Sequence, residues 1–200
     1  GAPEWQRSTG RPMNTFVAYQ YDGVFKDQKE IDANPINYKS IVNTLRPGDM
    51  KYVDYNKDGK IDPNDQVRTD NTQLPLFQGG LNLSASYDRF DVSILFQGAA
   101  GALQYVSAGE SGNIGNYLLD IYENRWTVEN PSSVHPRIAN RSDQYFSGNN
   151  TYWLRSSDYI RLKNFEIGYN VAEKWIEKIG FKKCRVYANG LNLFTFDKLK

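Results

Sequence analysis

Residues 80–98, GLNLSASYDRFDVSILFQG, decide the fold because apolar and polar side chains alternate through them with a period of two. Before the tight turn at Asp88–Arg89, one side of the predicted strand carries Leu81, Leu83, Ala85 and Tyr87. After the turn the apolar positions are Phe90, Val92, Ile94 and Phe96, and Leu95 alone departs from the pattern. Such alternation is typical of a half-buried strand. The stretch therefore predicts an antiparallel hairpin of residues 81–87 and 90–96, with one apolar and one polar face.

Further strands and short helices are expected on both sides of this hairpin. Residues 158–170, DYIRLKNFEIGYN, and residues 182–196, KKCRVYANGLNLFTF, are rich in β-branched and aromatic residues and predict two strands. A short helix is predicted between them at 172–180. Upstream, Thr15–Phe25 predicts one strand, and residues 26–33 predict a short helix that ends near a proline.

Two long connections separate the predicted strands. They cover residues 34–75 and 98–157, and the second contains a predicted helix at 116–127, where apolar side chains recur at helical spacing. A compact soluble domain rarely carries structureless connections of this length. Bacterial membrane barrels alternate short turns at one rim with long loops at the other. We therefore predict an all-β fold: an antiparallel transmembrane β-barrel segment with long extracellular loops and short helices in the connections.

Composition excludes several classes of function. The chain has 24 basic and 23 acidic residues and a net charge of +1, which gives no electrostatic basis for binding nucleic acid. The sequence contains no run of 18 apolar residues, so no membrane-spanning helix is predicted. Cys184 is the single cysteine, so no internal disulfide is expected, and we interpret it as inert. The sequence contains no nucleotide-binding loop, nucleophile elbow or paired catalytic carboxylates, so an enzyme is not predicted.

Four stretches resemble one known family. They are GRPMNTFVAYQYDGVF (10–25), GDMKYVDYNKDGKIDPND (48–65), GLNLSASYDRFDVSILFQGAAG (80–101), and YWLRSSDYIRLKNFEIGYNV together with RVYANGLNLFTF (152–171 and 185–196). In this order they resemble the SusC/RagA-like, TonB-dependent outer-membrane transporters of Bacteroidetes, and they extend over about residues 10 to 197.

The resemblance implies that residues 1–200 are the C-terminal portion of a receptor barrel. Both ends of the chain look cut, and the plug, the TonB box and most barrel strands of the family would lie outside it. The implied function is import of oligosaccharides or peptides across the outer membrane. The implied partners are a SusD-like lipoprotein, the TonB complex acting through the N-terminal part, and outer-membrane lipid. Residues 26–75 and 98–157 would be extracellular loops, and the turns at 88–89 and 170–181 would be periplasmic.

A second interpretation remains open from the residues alone. The same strands could form a secreted, calcium-stabilised β-sandwich that acts as a carbohydrate-binding module. In that case the apolar faces would make a soluble core. The two interpretations differ in whether the protein requires detergent for solubility.

Residues 54–65, DYNKDGKIDPND, predict a calcium loop. Oxygen ligands recur at the spacing of an EF-hand loop, with Gly59 at the sharp turn, and the candidate ligands are Asp54, Asn56, Asp58, the Lys60 carbonyl, Asp62 and Asp65. Asp65 replaces the usual glutamate at the last position, and no helix is predicted to enter the loop. The expected role of Ca2+ is structural, and the alternative is a solvated acidic turn.

The substrate-binding residues are unknown from the sequence. Aromatic residues in the second connection could stack on sugars or dock a partner, or they could pack within the loop or at the membrane interface: Tyr105, Tyr117, Tyr122, Trp126, Tyr145, Tyr152 and Trp153. His135 is the only histidine and is interpreted as part of the loop structure.

Overall fold

The computed structural model describes residues 1–106, 119–131, 134–138 and 149–199. It divides into two compact units, one formed by Gly1–Gln73 and Gln104–Arg155 and the other by Leu74–Leu103 and Ser156–Lys200. The second unit is built of long antiparallel strands, whereas the first contains short antiparallel strand pairs joined by irregular segments. No helix in the described ranges is long and apolar enough to span a membrane.

The strands follow one another along the chain as β1 (Thr15–Tyr19), β2 (Tyr21–Val24), β3 (Met50–Tyr52), β4 (Gln66–Thr72), β5 (Phe77–Tyr87), β6 (Phe90–Ala100), β7 (Leu103–Tyr105), β8 (Leu154–Ser156), β9 (Tyr159–Asn170) and β10 (Arg185–Asp197). The α-helices are α1 (Gln28–Ala33), α2 (Leu119–Glu123) and α3 (Glu173–Ile176). Single 3-10 turns lie at Glu4–Gln6, Pro63–Asp65 and Glu177–Ile179. Strands β7 and β8 pair with each other as a two-stranded sheet.

The second unit is a four-stranded antiparallel sheet in the order β10-β9-β6-β5. Its β5–β6 hairpin has the predicted register, with Leu83 opposite Ile94 and Tyr87 opposite Phe90. The turn between the two strands holds Asp88 at a φ of 52°, a conformation that aspartate tolerates better than most residues. The hairpin predicted from the alternation is therefore confirmed, and both strands extend beyond the predicted bounds.

The elements predicted after residue 157 are also present. β9 and β10 pair over almost their whole lengths, and α3 with the following 3-10 turn forms the helical connection between them. Gly180 closes that connection at a φ of 82°, the left-handed conformation that usually ends a helix at glycine.

The single strand predicted at Thr15–Phe25 is wrong. The segment forms two strands with different partners, because β1 pairs with β4 whereas β2 pairs with β3. Between them, the amide and carbonyl of Tyr19 bond to residues 149 and 151, and the Gln20 carbonyl accepts a hydrogen bond from Val53. The chain therefore changes from one two-stranded sheet to another at Gln20. The strand preferences of residues 15–25 do not indicate this change.

Most described residues of the two long connections belong to the first unit. Residues 34–75 form β3 and β4 and contribute buried side chains to a hydrophobic core that also includes residues from the second connection. The buried members are Tyr19, Phe25, Tyr38, Val42, Met50, Tyr52, Ile61, Ile121, Tyr152 and Trp153. The described parts of both connections therefore share a packed core. The helix predicted at 116–127 appears as α2, Leu119–Glu123, and residues 116–118 lie outside the described residues.

Candidate functional site

The sheet of the second unit has one apolar face across all four strands. Paired residues of neighbouring strands lie on the same face, so the register places Leu83, Ile94 and Phe165 side by side. By the same pairing the face contains Leu81, Ala85, Tyr87, Phe90, Val92, Phe96, Ile160, Leu162, Ile167, Tyr169, Val186, Ala188, Phe194 and Phe196.

Much of this apolar face is exposed. The exposed fraction is 56% for Leu81, 61% for Ile160 and 72% for Phe196, whereas Leu162 is buried between its neighbours. Monomeric soluble proteins rarely expose contiguous apolar patches larger than a few hundred Å². A surface spread over four long strands therefore indicates contact with an apolar environment.

A bulge in β9 keeps the apolar residues on one side. Ile160 and Leu162 occupy even positions, whereas Phe165, Ile167 and Tyr169 occupy odd positions, so strict alternation would divide them between the two faces. The register shifts at this point, because Leu95 pairs with Asn164 and the next residue of β6, Phe96, pairs with Leu162. Lys163 is the extra residue. The phase change is visible in the sequence and is a bulge signal that the strand prediction at 158–170 did not use.

The opposite face carries a charged cluster near the β5–β6 turn. The Arg185 guanidinium on β10 pairs with Asp91 on β6 and lies 2.7 Å from a carboxylate oxygen of Glu166 on β9. It also lies 5.2 Å from the ring centroid of Tyr187. Asn170 adds a side-chain hydrogen bond to Asp91. The cluster joins three strands on the polar face, and no motif in the sequence predicted it.

The acidic loop of the first unit is closed by hydrogen bonds to backbone amides. Asp54 accepts from the amides of Asp58 and Gly59 at 3.2 and 2.8 Å, and Asn56 accepts from Asp58 at 3.0 Å. Asp58 accepts from the Lys60 amide at 3.1 Å. Gly59 has a φ of 82°, which supplies the sharp turn that the sequence predicts.

Asp65 is the buried member of this loop. Its carboxylate accepts hydrogen bonds from the amides of Tyr55 (2.9 Å), Asn56 (3.3 Å) and Asp62 (2.8 Å). Burial raises the pKa of Asp65, while the three amide donors act in the opposite direction. The Asp65 side chain thus joins the end of the loop to its beginning.

The Lys60 ammonium group lies between two carboxylates of the loop. Its Nζ lies 2.7 Å from Asp62 and 3.5 Å from Asp58. The hydrogen bond to Lys60 lowers the pKa of Asp62, and the same contact raises the pKa of Lys60. Within the described residues, no group of three or more His, Cys, Asp or Glu side chains is arranged to hold a metal ion. The six predicted ligands share one loop, and calcium binding stays a prediction.

The aromatic residues of the second connection divide between core and surface. Tyr152 and Trp153 are buried, and Tyr105 packs against the same core. Tyr122 is half exposed, and the Trp126 indole N–H donates to the Lys26 carbonyl at 3.0 Å. Tyr117 and Tyr145 lie outside the described residues.

His135 contacts two side chains of the first unit. Its Nδ1 lies 2.8 Å from the Tyr152 hydroxyl, and its Nε2 lies 3.3 Å from Asp120 on α2. These contacts agree with the structural role predicted for this residue. Cys184 is a free thiol of intermediate exposure just before β10.

The sequence is similar to TonB-dependent receptors. It is 28% identical over 189 residues to TonB-dependent receptor P3 of Formosa agariphila, in a match that covers 94% of this chain and 18% of the relative. It is 30% identical over 199 residues to TonB-dependent receptor P26 of the same organism, in a match that covers 96% of this chain and 19% of the relative. No family model matches the chain. The chain thus spans about a fifth of the length of these relatives.

The fold is similar to that of solved peptide transporters. "Structure of the RagAB peptide transporter" aligns with a TM-score of 0.63 and 20% identity over 92% of this chain and 19% of the other. The open-open state of the RagAB peptide importer gives a TM-score of 0.62 and 19% identity with the same coverage. The chain is therefore homologous to TonB-dependent receptors and has RagAB-like structural neighbours, so the resemblance identified from its motifs is confirmed.

Proposed function

We propose that the chain forms part of the transmembrane wall of a TonB-dependent outer-membrane importer, with β5, β6, β9 and β10 crossing the bilayer. The observation that carries the proposal is the exposed apolar face that these four strands share. In a membrane barrel such a face contacts lipid while the alternate residues face the lumen. The Arg185 cluster on the opposite face then lies on the lumen side.

The strand lengths support this proposal. The four strands contain 11, 11, 12 and 13 residues. At a rise of about 3.3 Å per residue, an eleven-residue strand is about 36 Å long. With a tilt of about 45°, it spans about 26 Å along the membrane normal, close to the ~25 Å apolar band of outer-membrane barrels. Strands in ordinary globular sheets are usually about half as long.

The rest of the chain fits the extracellular side of such a wall. We place residues 26–75 and 98–157 outside the cell and the turns at 88–89 and 170–181 in the periplasm, because long loops and short turns segregate in this way. The importer would take up oligosaccharides or peptides, with a SusD-like lipoprotein over its external face and the TonB complex acting on its N-terminal part. Peptide transport by RagAB-like neighbours and the receptor names of the relatives support this assignment. We propose no enzymatic activity.

The exposed face also disfavours the alternative of a secreted β-sandwich. A sandwich covers its inner face with a second sheet about 10 Å away. In this chain Leu81, Ile160 and Phe196 each remain more than half exposed. A soluble module would leave these side chains in water, at a cost of roughly 1.5–3 kcal/mol for each large side chain that a core would otherwise bury.

The proposal is tested by placing arginine on each face of one strand in the whole protein. Ile94 and Ser93 are adjacent near the middle of β6, so their side chains point to opposite faces. Arginine at the lipid-facing midplane costs about 2–4 kcal/mol. We expect Ile94→Arg to reduce the amount of folded, heat-modifiable protein in the outer-membrane fraction, whereas Ser93→Arg accumulates normally.

Two results would contradict the proposal. One is recovery of the wild-type protein in the soluble fraction without detergent. The other is equal assembly of the two arginine variants, because a sheet with water on both faces has no reason to distinguish them.

A further inference from the structure

We propose that a groove in the first unit is a saccharide-binding subsite. The groove has a volume of about 550 Å³ and is lined by Lys26, Asp27, Gln28, Pro47, Trp126, Val128 and Pro131. This volume lies within the range of about 300–1,000 Å³ that is usual for ligand sites. The inference rests on the proposed function only for its setting on the extracellular side of an importer.

Three distant chain segments hold the groove in shape. The Trp126 indole N–H bonds to the Lys26 carbonyl across 100 residues of sequence. The same ring covers Gly48, whose φ of 85° and missing side chain allow the close approach. Arg137 donates its amide to the Gly48 carbonyl at 2.8 Å, and its guanidinium lies 3.0 Å from the buried Asp49 carboxylate. The aromatic wall is therefore fixed before any ligand arrives, which reduces the entropic cost of binding.

The apolar part of the groove favours a ligand that brings a C–H surface. Pro47, Pro131, Trp126 and Val128 present carbon atoms, and Val128 is 79% exposed. The two prolines have no backbone N–H, so they cannot donate to the carbonyls of a peptide laid along them. A peptide backbone laid along the prolines would receive no backbone hydrogen bond from them, whereas the C–H face of a pyranose ring needs no hydrogen bond from the wall.

The polar end of the groove supplies both donors and acceptors. The Lys26 ammonium makes no hydrogen bond or ion pair within the described residues. Asp27 uses one carboxylate oxygen to accept the Glu30 amide at 2.9 Å, and a carboxylate retains further acceptor sites. Gln28 adds an amide, which both donates and accepts. Sugar hydroxyls also donate and accept, so an amphipathic ring with a C–H face and a hydroxyl rim matches the groove.

The subsite is tested by saturation-transfer difference NMR on the whole protein in lauryldimethylamine oxide, a detergent without a sugar headgroup. The probes are short oligosaccharides of glucose, xylose, galactose, mannose and glucuronic acid, with trialanine and triproline as peptide probes. Val128→Arg fills the groove, and Val134→Arg makes the same change at another exposed valine that does not line it. Lys26→Met removes one polar group without changing the volume greatly.

We expect at least one oligosaccharide to receive saturation from the wild type and from Val134→Arg, with binding about tenfold weaker in Val128→Arg and reduced in Lys26→Met. Three outcomes would each overturn the proposed subsite. They are equal binding in the two arginine variants, no oligosaccharide signal at all, and a Val128-dependent signal from peptides alone. Outer-membrane assembly is scored separately through the Ile94→Arg and Ser93→Arg pair. Loss of the subsite with normal assembly therefore leaves the proposed importer intact.

Discussion

Arg185 lies directly over Gly168, so that a β-carbon at Gly168 would overlap the guanidinium group. Gly168 pairs with Asp91 on β6 and with Tyr187 on β10, at the centre of the charged cluster. The absent side chain makes room for Arg185 to cross β9 and reach Asp91. A glycine that looks merely flexible in the sequence thus supports an ion pair between strands that are not neighbours.

We expect Gly168→Ala to destabilise the folded protein by displacing the guanidinium. The guanidinium is the end of a flexible side chain, so the backbone need not move and the loss is limited to solvent-screened ion pairs, which makes the expected destabilisation small. A double-mutant cycle with Arg185→Gln, followed by thermal unfolding in detergent, measures the coupling. Gly168→Ala should be nearly neutral once Arg185 is gone. Additive effects would show that the alanine acts through strand geometry instead.

Calcium binding by the acidic loop should be weak and should compete with Lys60. The Lys60 ammonium bridges Asp58 and Asp62, so an entering cation must displace it. We expect millimolar affinity in the wild type, the range of extracellular sites. Affinity should be tighter in Lys60→Ala, which keeps the ligand carbonyl, and lost in Asp58→Ala. Isothermal titration calorimetry measures all three proteins.

A parallel measurement separates the metal from the loop itself. Chelator should increase proteolysis of residues 54–65 in the wild type if calcium orders the loop. No heat of binding in the wild type or Lys60→Ala, together with cleavage unaffected by chelator, would leave an acidic turn closed by amide hydrogen bonds.

The protonation of Glu30 should control how strongly the Lys26 amide, just before α1, is protected against hydrogen exchange. The Glu30 carboxylate bonds to Lys51 Nζ at 2.7 Å and to the Lys26 amide at 2.7 Å. The hydrogen bond from Lys51 lowers the pKa of Glu30. A lowered folded-state pKa means that this stabilisation is fully present above the unfolded-state pKa of about 4.3. It is lost as the pH falls through the lower, folded-state pKa.

Hydrogen exchange of the Lys26 amide in Glu30→Gln and wild type checks this sign. The variant should be less protected than the wild type near neutral pH, and the two should converge below the folded-state pKa. A difference that stays constant through the acidic range would indicate that Glu30 acts by packing.

The proposed orientation predicts which positions a bulky reagent can reach in intact cells. In a whole protein carrying Cys184→Ser and freed of other reactive thiols, Ser40→Cys should react with a polyethylene-glycol maleimide added outside, because residue 40 is exposed and lies in the 26–75 segment. Lys178→Cys, exposed in the connection between β9 and β10, should react only after the outer membrane is opened. The reverse pattern would invert the topology.

How much of the fold could be predicted depended on how far apart along the sequence the contacting residues lie. The β5–β6 hairpin is local, so its alternation and its turn specify the register from one continuous stretch. The core of the first unit combines Phe25, Met50, Ile61 and Trp153 from segments without a regular period, so no sequence window revealed it. The same reasoning explains the division of Thr15–Phe25, since its two partners lie about 30 and 50 residues away.

The candidate sites show the same limit. The acidic loop was visible because its side chains follow a short repeating pattern, and the structure places them in one loop. The sequence did not show that amides and Lys60 already occupy the oxygens. The groove at Trp126 depends on contacts between residues 26 and 126, which become neighbours only through folding.

The bulge at Lys163 also bears on how this strand can change in length during evolution. In the observed register of β6 and β9, removing Lys163 would leave Asn164 and Leu162 adjacent, with each still opposite its present partner on β6. Removing a residue between 165 and 169 would instead exchange the faces of the side chains beyond it, unless the bulge were lost in compensation. We therefore expect related sequences to lose or gain a single residue at this position more readily than elsewhere in β9, so that gaps in an alignment of the strand would mark the bulge.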